Sequence, residues 1–126
     1  LPTSKVYVVK EQVIRGDTGP IPIDYGKAME FGDIEFITLH DMPTYQRPSV
    51  MEMWNQDVLQ FVGSYDPLND FIVTTGQPTA IFAVGWALGR AGKVPRFLVW
   101  RREENRYRVL HFDGAMPTSR ATSPTV

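Results

Sequence analysis

The stretch from Asp70 to Gly92 constrains this chain most: a short apolar run, a glycine turn, and a helix led by proline. Phe71-Ile72-Val73 is aromatic and β-branched and reads as a buried strand, ended by Thr74-Thr75-Gly76. Pro78 suits the first turn of a helix, where its missing N–H has no partner to lose. Ile81, Val84 and Leu88 then recur at helical spacing through Ala91, and Gly92 is a C-terminal stop. Strand, turn and helix N-terminus together bring free N–H groups and the positive end of a dipole to Thr75-Gly76-Gln77, a ready anion site. Many such turns only connect elements, and there is neither a Walker lysine nor a repeated-glycine fingerprint here.

The rest of the chain builds around that unit. Leu1 to Ser4 reads as frayed, and Val6-Tyr7-Val8-Val9 as a strand. Gly16, Gly19, Pro20 and Pro22 exclude a long regular element and predict a loop turning from Asp17 to Pro20. Asp24 to Gly32 allows one helical turn, and Ile34 to Thr38 alternates as a strand. Pro43 and Pro48 mark a loop. Ser49 to Val62 carries an apolar stripe of Val50, Trp54, Val58, Phe61 and Val62. Ser49 and Glu52 have capping-box spacing, so Ser49→Ala is expected to cost about 1 kcal/mol. Val94–Arg102 and Arg106–Phe112 flank Glu103-Glu104-Asn105 as a β-hairpin, with Arg101 and Arg102 on opposite faces of its first arm. The order β-β-α-β-α-β-β predicts one small α/β domain over residues 5–114, a mixed sheet with two helices and right-handed crossovers, ending in the hairpin. Residues 115–126, rich in Pro, Ser, Thr and Ala, read as a disordered tail.

The second helix has an unusual surface. Gly85 and Gly89 lie four apart, as do Ala83, Ala87 and Ala91, beside a Phe82/Trp86 ridge. Each mid-helix glycine costs about 1 kcal/mol relative to alanine, and close packing is the expected compensation. Aromatic pairs at this spacing are most often core. The small residues, the ridge and an uneven charge distribution together predict a homo-oligomer, a dimer or higher. The charge is uneven because residues 1–89 carry 5 basic and 11 acidic residues, and residues 90–126 carry 8 and 3.

Composition excludes several functions. No cysteine is present, so thiol chemistry and disulfides are out, and a reducing cytoplasm fits. No stretch approaches the roughly 18 apolar residues of a membrane span. His40 and His111 are the two histidines; His40-Asp41 has no further metal-type ligand close in sequence, and His111 lies in a strand pattern. No serine elbow, zinc helix or paired carboxylates appear, so no catalytic residue, metal or cofactor is assigned.

Binding is the better-supported chemistry. Arginine offers phosphate a planar donor fork and stacks on bases, and neighbouring aromatics extend the stacking platform. Trp100-Arg101-Arg102, Arg106-Tyr107-Arg108 and Tyr45-x-Arg47 interleave the two types. The candidate ligand set is Arg15, Gly16, Tyr45, Arg47, Thr75, Gly76, Gln77, Phe82, Arg96, Trp100, Arg101 and Arg102, with one of the last two arginines facing the ligand. The plain alternative is a hairpin whose arginines pair with Glu103 and Glu104.

Two resemblances follow from these residues. Val73-Thr74-Thr75-Gly76 before a helix resembles the turn of CRISPR-associated Rossmann-fold sensors and ring nucleases, which bind cyclic oligoadenylates; Gln77-Pro78 stands where that pattern has Thr-Lys. Asp24-Tyr25-Gly26-Lys27-Ala28, Gly32, Ile34–Thr38, Asp70–Gly76, the small-residue helix, Leu98-Val99-Trp100 and Tyr107 together resemble phage proteins of the first anti-Thoeris family. That resemblance implies an oligomeric sponge that sequesters glycocyclic ADP-ribose, or cyclic oligonucleotides, without cleaving it. Its partner would be a small nucleotide-derived molecule, with no membrane and no nucleic acid. The rivals are a ring-nuclease-like phosphodiesterase, acting through His40, and a nucleic-acid binder using the basic hairpin.

Overall fold

The computed structural model describes residues 4–113. The expected disordered tail and Leu1 to Thr3 lie outside them. Strand β1 (Lys5–Val8) is an inner strand and pairs in parallel with β4 (Asp33–Phe36) on one side and β5 (Phe71–Val73) on the other. Val6 stands opposite both Ile34 and Phe71. β6 (Arg96–Arg101) continues in parallel beside β5, and β7 (Arg106–His111) closes the edge antiparallel to β6. The sheet order is β4-β1-β5-β6-β7, the α/β mixed sheet expected. The chain steps from β1 to one side, then crosses back over β1 to build the other. That is doubly wound order, with a reversal between β1 and β5.

Burial follows the pleat. Tyr7, Val9, Ile72 and Phe97 face α1 (Pro48–Ser64) and α2 (Pro78–Arg90), which supply Trp54, Val58 and Phe61, and Ala80, Val84 and Leu88. Val6, Val8, Phe71, Val73 and Leu98 face the other way, where Tyr25, Ala28 and Phe31 cover them around a single 3-10 turn at Gly26–Ala28. The part of β1 buried on both faces, Val6 to Val8, is a continuous apolar run for that reason. Gly32 makes this cover possible. Its φ is +159°, and a side chain there would collide with the Ser4 carbonyl, which accepts a 3.0 Å bond from the Asp33 N–H.

Three expectations change. The loop predicted over residues 11–26 contains a small hairpin, β2 (Val13–Gly16) with β3 (Gly19–Pro22), forming its own two-stranded sheet. Its glycines and prolines forbid a long element, yet four-residue strands with free edges tolerate them. The capping box does not form. Pro48 occupies the first helical position, Arg47 is the N-cap without a side-chain cap bond, and Ser49 falls inside the first turn. β6 ends at Arg101, so Arg102 belongs to the turn and not to a strand face.

The amino edge of the sheet is fastened by polar groups. The Asp70 carboxylate, 5% exposed, accepts from the Lys5 N–H at 3.0 Å and the Asp66 N–H at 2.8 Å. The Tyr65 hydroxyl donates to the Asp70 carbonyl at 3.2 Å and accepts from the Arg96 N–H at 2.9 Å. Lys93 Nζ donates to the Val62 and Tyr65 carbonyls at 2.6 and 2.8 Å, capping the end of α1.

Asp70→Ala strips the acceptor from two N–H groups, each costing about 1–3 kcal/mol when left unpaired. Urea denaturation should show a loss of about 2–4 kcal/mol, whereas exposed Ser49→Ala should stay within about 0.5 kcal/mol.

Burial raises the Tyr7 and Tyr25 phenols from 10 to about 12, with Asp70 adding to it for Tyr7 and Tyr107 for Tyr25. A raised phenol binds its proton longer in the folded state than in the unfolded one. The associated stability is complete below pH 10 and falls as pH rises from about 10 towards 12. Thermal unfolding followed over pH 9–12 should show that decline, and Tyr7→Phe should make it shallower.

Candidate functional site

The carboxyl edge is open. Loops leaving β1, β4 and β5 surround a cleft of about 590 Å³ lined by Gln12, Asp41 to Tyr45, Arg47, Val50, Gly76 and Gln77. This is where the winding direction reverses, the usual ligand position in open α/β sheets, because successive connections leave towards opposite faces.

Two helices begin at this cleft. Arg47 and Val50 belong to the start of α1, and Gly76 and Gln77 to the start of α2. Both helices start with proline, neither N-cap makes a side-chain cap bond, and neither first turn holds an acidic residue. The first N–H groups of a helix have no intrahelical acceptor, and the dipole adds positive potential. Two such ends and the Arg47 guanidinium give the cleft a positive wall. Tyr45 lies beside it, with the Arg47 guanidinium 5.7 Å from its ring centre and a 3.5 Å bond to its hydroxyl. The acid of the cleft, Asp41, lies 3.6 Å from Lys10 Nζ.

The walls are tied together. The Gln77 amide accepts from the Met42 N–H and donates to the Met42 carbonyl, both at 3.0 Å. This joins the loop before α1 to the start of α2. Gly76 adopts φ +139°, which a residue with a side chain rarely takes up, and Gln12 lies against it. Gln12 is held by its own bond to the Lys10 carbonyl at 3.2 Å. Thr38 anchors the far end of the loop, donating to Asp57 of α1 at 2.8 Å and accepting from the His40 N–H at 3.1 Å.

Of the residues read from the sequence as ligand-binding, Tyr45, Arg47, Gly76 and Gln77 meet in the cleft, and Thr75 precedes them in the same turn. The others lie elsewhere. Arg15 and Gly16 sit in the β2–β3 hairpin. Phe82 is on the outer face of α2, 83% exposed. Arg96 is at the amino edge, its guanidinium 4.1 Å from the Phe71 ring centre. Trp100 packs on Tyr107 at 5.1 Å and under Lys27, on the face away from the helices. Arg101 pairs with Glu103 at 3.2 Å and Arg108 with Glu104 at 2.6 Å, while Arg106 reaches Glu30 at 3.8 Å. The bond from Arg108, reinforced by the charges of Arg108, Arg101 and Arg106, holds the Glu104 carboxyl below the usual range. The hairpin arginines are therefore largely engaged by the chain's own carboxylates. Sequence reasoning missed Gln12, Asp41, Met42, Pro43, Thr44 and Val50; the prolines at 43 and 48 were the signal available for the loop residues among them, and nothing comparable marks Gln12.

Among the described residues, no group of three or more histidines, aspartates and glutamates is placed to hold a metal ion, and no helix is long and apolar enough to cross a membrane. Fold and cleft together define a small doubly wound α/β protein with a ligand-sized opening at its switch point. Residues 4–114 match the family described as phage Pam3 gp32-like protein, and the chain belongs to that family of phage proteins. No curated protein and no solved structure gives a match.

Gln77→Ala should release the loop from α2, and hydrogen exchange at the Met42 amide should accelerate. Two neutral bonds at about 1 kcal/mol each predict a rate increase of roughly 10- to 30-fold if that amide exchanges by local opening. Gln77→Glu keeps an acceptor for the Met42 N–H but sets a carboxylate oxygen against its carbonyl, so it should protect less well than glutamine.

Proposed function

We propose that this phage protein binds a small nucleotide-derived signal in the switch-point cleft and sequesters it intact inside the host cell. The observation that carries the reading is the convergence of two uncompensated helix N-termini and Arg47 on one opening beside Tyr45. Phosphate groups suit the N–H groups and the guanidinium, and a flat base suits the tyrosine ring. Glycocyclic ADP-ribose and cyclic oligonucleotides are the ligands that the anti-Thoeris resemblance puts forward. Sequestration rather than cleavage is supported by the chemistry of the walls. Asp41 beside Lys10 is the acid among them, and neither a histidine nor a nucleophile with a base partner is among the lining residues.

Titration calorimetry with cyclic oligonucleotides and ADP-ribose isomers tests this. Wild type should bind one of them tighter than about 10 μM. Losing one charged bond, worth about 1.5–3 kcal/mol, should make Arg47→Ala roughly 10- to 100-fold weaker. Arg101→Ala should bind as wild type. Heat release followed by chromatography should return the ligand unchanged; a cleaved product would favour a phosphodiesterase. Tight binding of DNA or RNA that weakens steeply with salt would favour a nucleic-acid binder.

A further inference from the structure

The outer face of α2 is apolar, and none of the described residues covers it. Phe82 is 83% exposed and Trp86 65%, with Gly85 and Gly89 on the same stripe. A side chain built at either glycine meets nothing within 4 Å, so nothing among the described residues requires a glycine there. The one charged residue of α2 is Arg90, its guanidinium 4.9 Å from the Trp86 ring centre. A solvated helix face is ordinarily charged and polar.

Beside Gly85 lies an apolar cavity of about 180 Å³, walled by Ile72, Val84, Leu88, Pro95 and Phe97. A cavity of about 150 Å³ is enough to take a benzene ring. Phe97 leads on to Phe112, their ring centres 6.2 Å apart, and Phe112 is 54% exposed. At roughly 200 Å² per ring, Phe82, Trp86 and Phe112 leave about 400 Å² of apolar surface open, to which Leu110 and Val99 add. A stable homodimer face buries about 800 Å² per partner, about 65% of it apolar, so this patch supplies most of the apolar area one needs.

We infer that this face binds a second copy of the chain in a two-fold dimer, the Phe82 ring of each copy entering the cavity beside Gly85 of the other. The occupant follows from self-complementarity. Knob and hole lie one helical turn apart on the same helix, and a two-fold axis between them satisfies both at once. A different protein would have to bring its own ring for the cavity and its own recess for Phe82. Helix α2 itself contributes no carboxylate to this face, and its one charge, Arg90, lies over the Trp86 ring.

Sedimentation velocity on the full chain tests the assignment. Wild type should sediment at twice its 14.3 kDa chain mass at micromolar protein. Phe82→Glu should sediment as a monomer. In Gly85→Met the new Cβ meets nothing within 4 Å, the side chain lies beside the apolar cavity, and helix propensity is gained, so its thermal midpoint should not fall below that of a monomeric Phe82→Glu control, while its dimer dissociation constant should rise at least about tenfold. A wild type that stays monomeric into the hundred-micromolar range overturns the inference and leaves the face to another partner. An oligomer that survives both substitutions also overturns it, placing the contact elsewhere.

Discussion

Everything in this protein depends on β1 being paired on both sides by strands reached through opposite faces. Val6 and Val8 pack under the 3-10 turn, and Tyr7 and Val9 under the two helices. The chain leaves β1 along one face to reach β4 and returns along the other to reach β5. Two connections that depart towards opposite faces must diverge at the carboxyl ends of their strands, and the space between them is the cleft. The opening is a consequence of connectivity and needs no special loop to create it.

The two edges of the sheet solve opposite problems. At the amino edge, Asp70, Tyr65 and Lys93 satisfy the backbone groups of four different segments and fasten the ends of β1, β5, β6 and α1. At the carboxyl edge the helices begin without side-chain caps and without acidic first turns. Stability is concentrated where nothing needs to enter, and unsatisfied donors are kept where a ligand can supply acceptors. Binding groups carried on loops above a rigid scaffold are the common division of labour in such folds.

Much of the fold was legible because its signals are local. The β5-turn-α2 unit, the β6–β7 hairpin and the apolar stripe of α1 follow from spacing and from proline and glycine placement. The β2–β3 hairpin was not legible, since four-residue strands rich in glycine and proline carry no periodicity. Ser49 misled because a capping box and a proline at the first helical position compete for the same turn, and at Pro48 the ring's fixed φ prevails. Four of the ten cleft residues could be read, namely Tyr45, Arg47, Gly76 and Gln77. The basic hairpin carries a stronger pattern than the other six. Its arginines and aromatics alternate as a binding surface would, but Glu103, Glu104 and Glu30 lie within reach, and reach is set by the folded register and not by composition.

The Gln77 amide has a kinetic meaning beyond its two bonds. It joins walls that are 35 residues apart in the chain, so the loop carrying Tyr45 and Arg47 is already held against α2 before anything arrives. A site assembled in advance has little ordering to do at the moment of encounter. Capture then proceeds at the pace of diffusion and orientation, and differences in affinity among ligands fall chiefly on how slowly each one leaves. In the proposed sequestration of a scarce molecule, speed of capture and length of residence are separate quantities. A prepaid loop improves the first without diminishing the second.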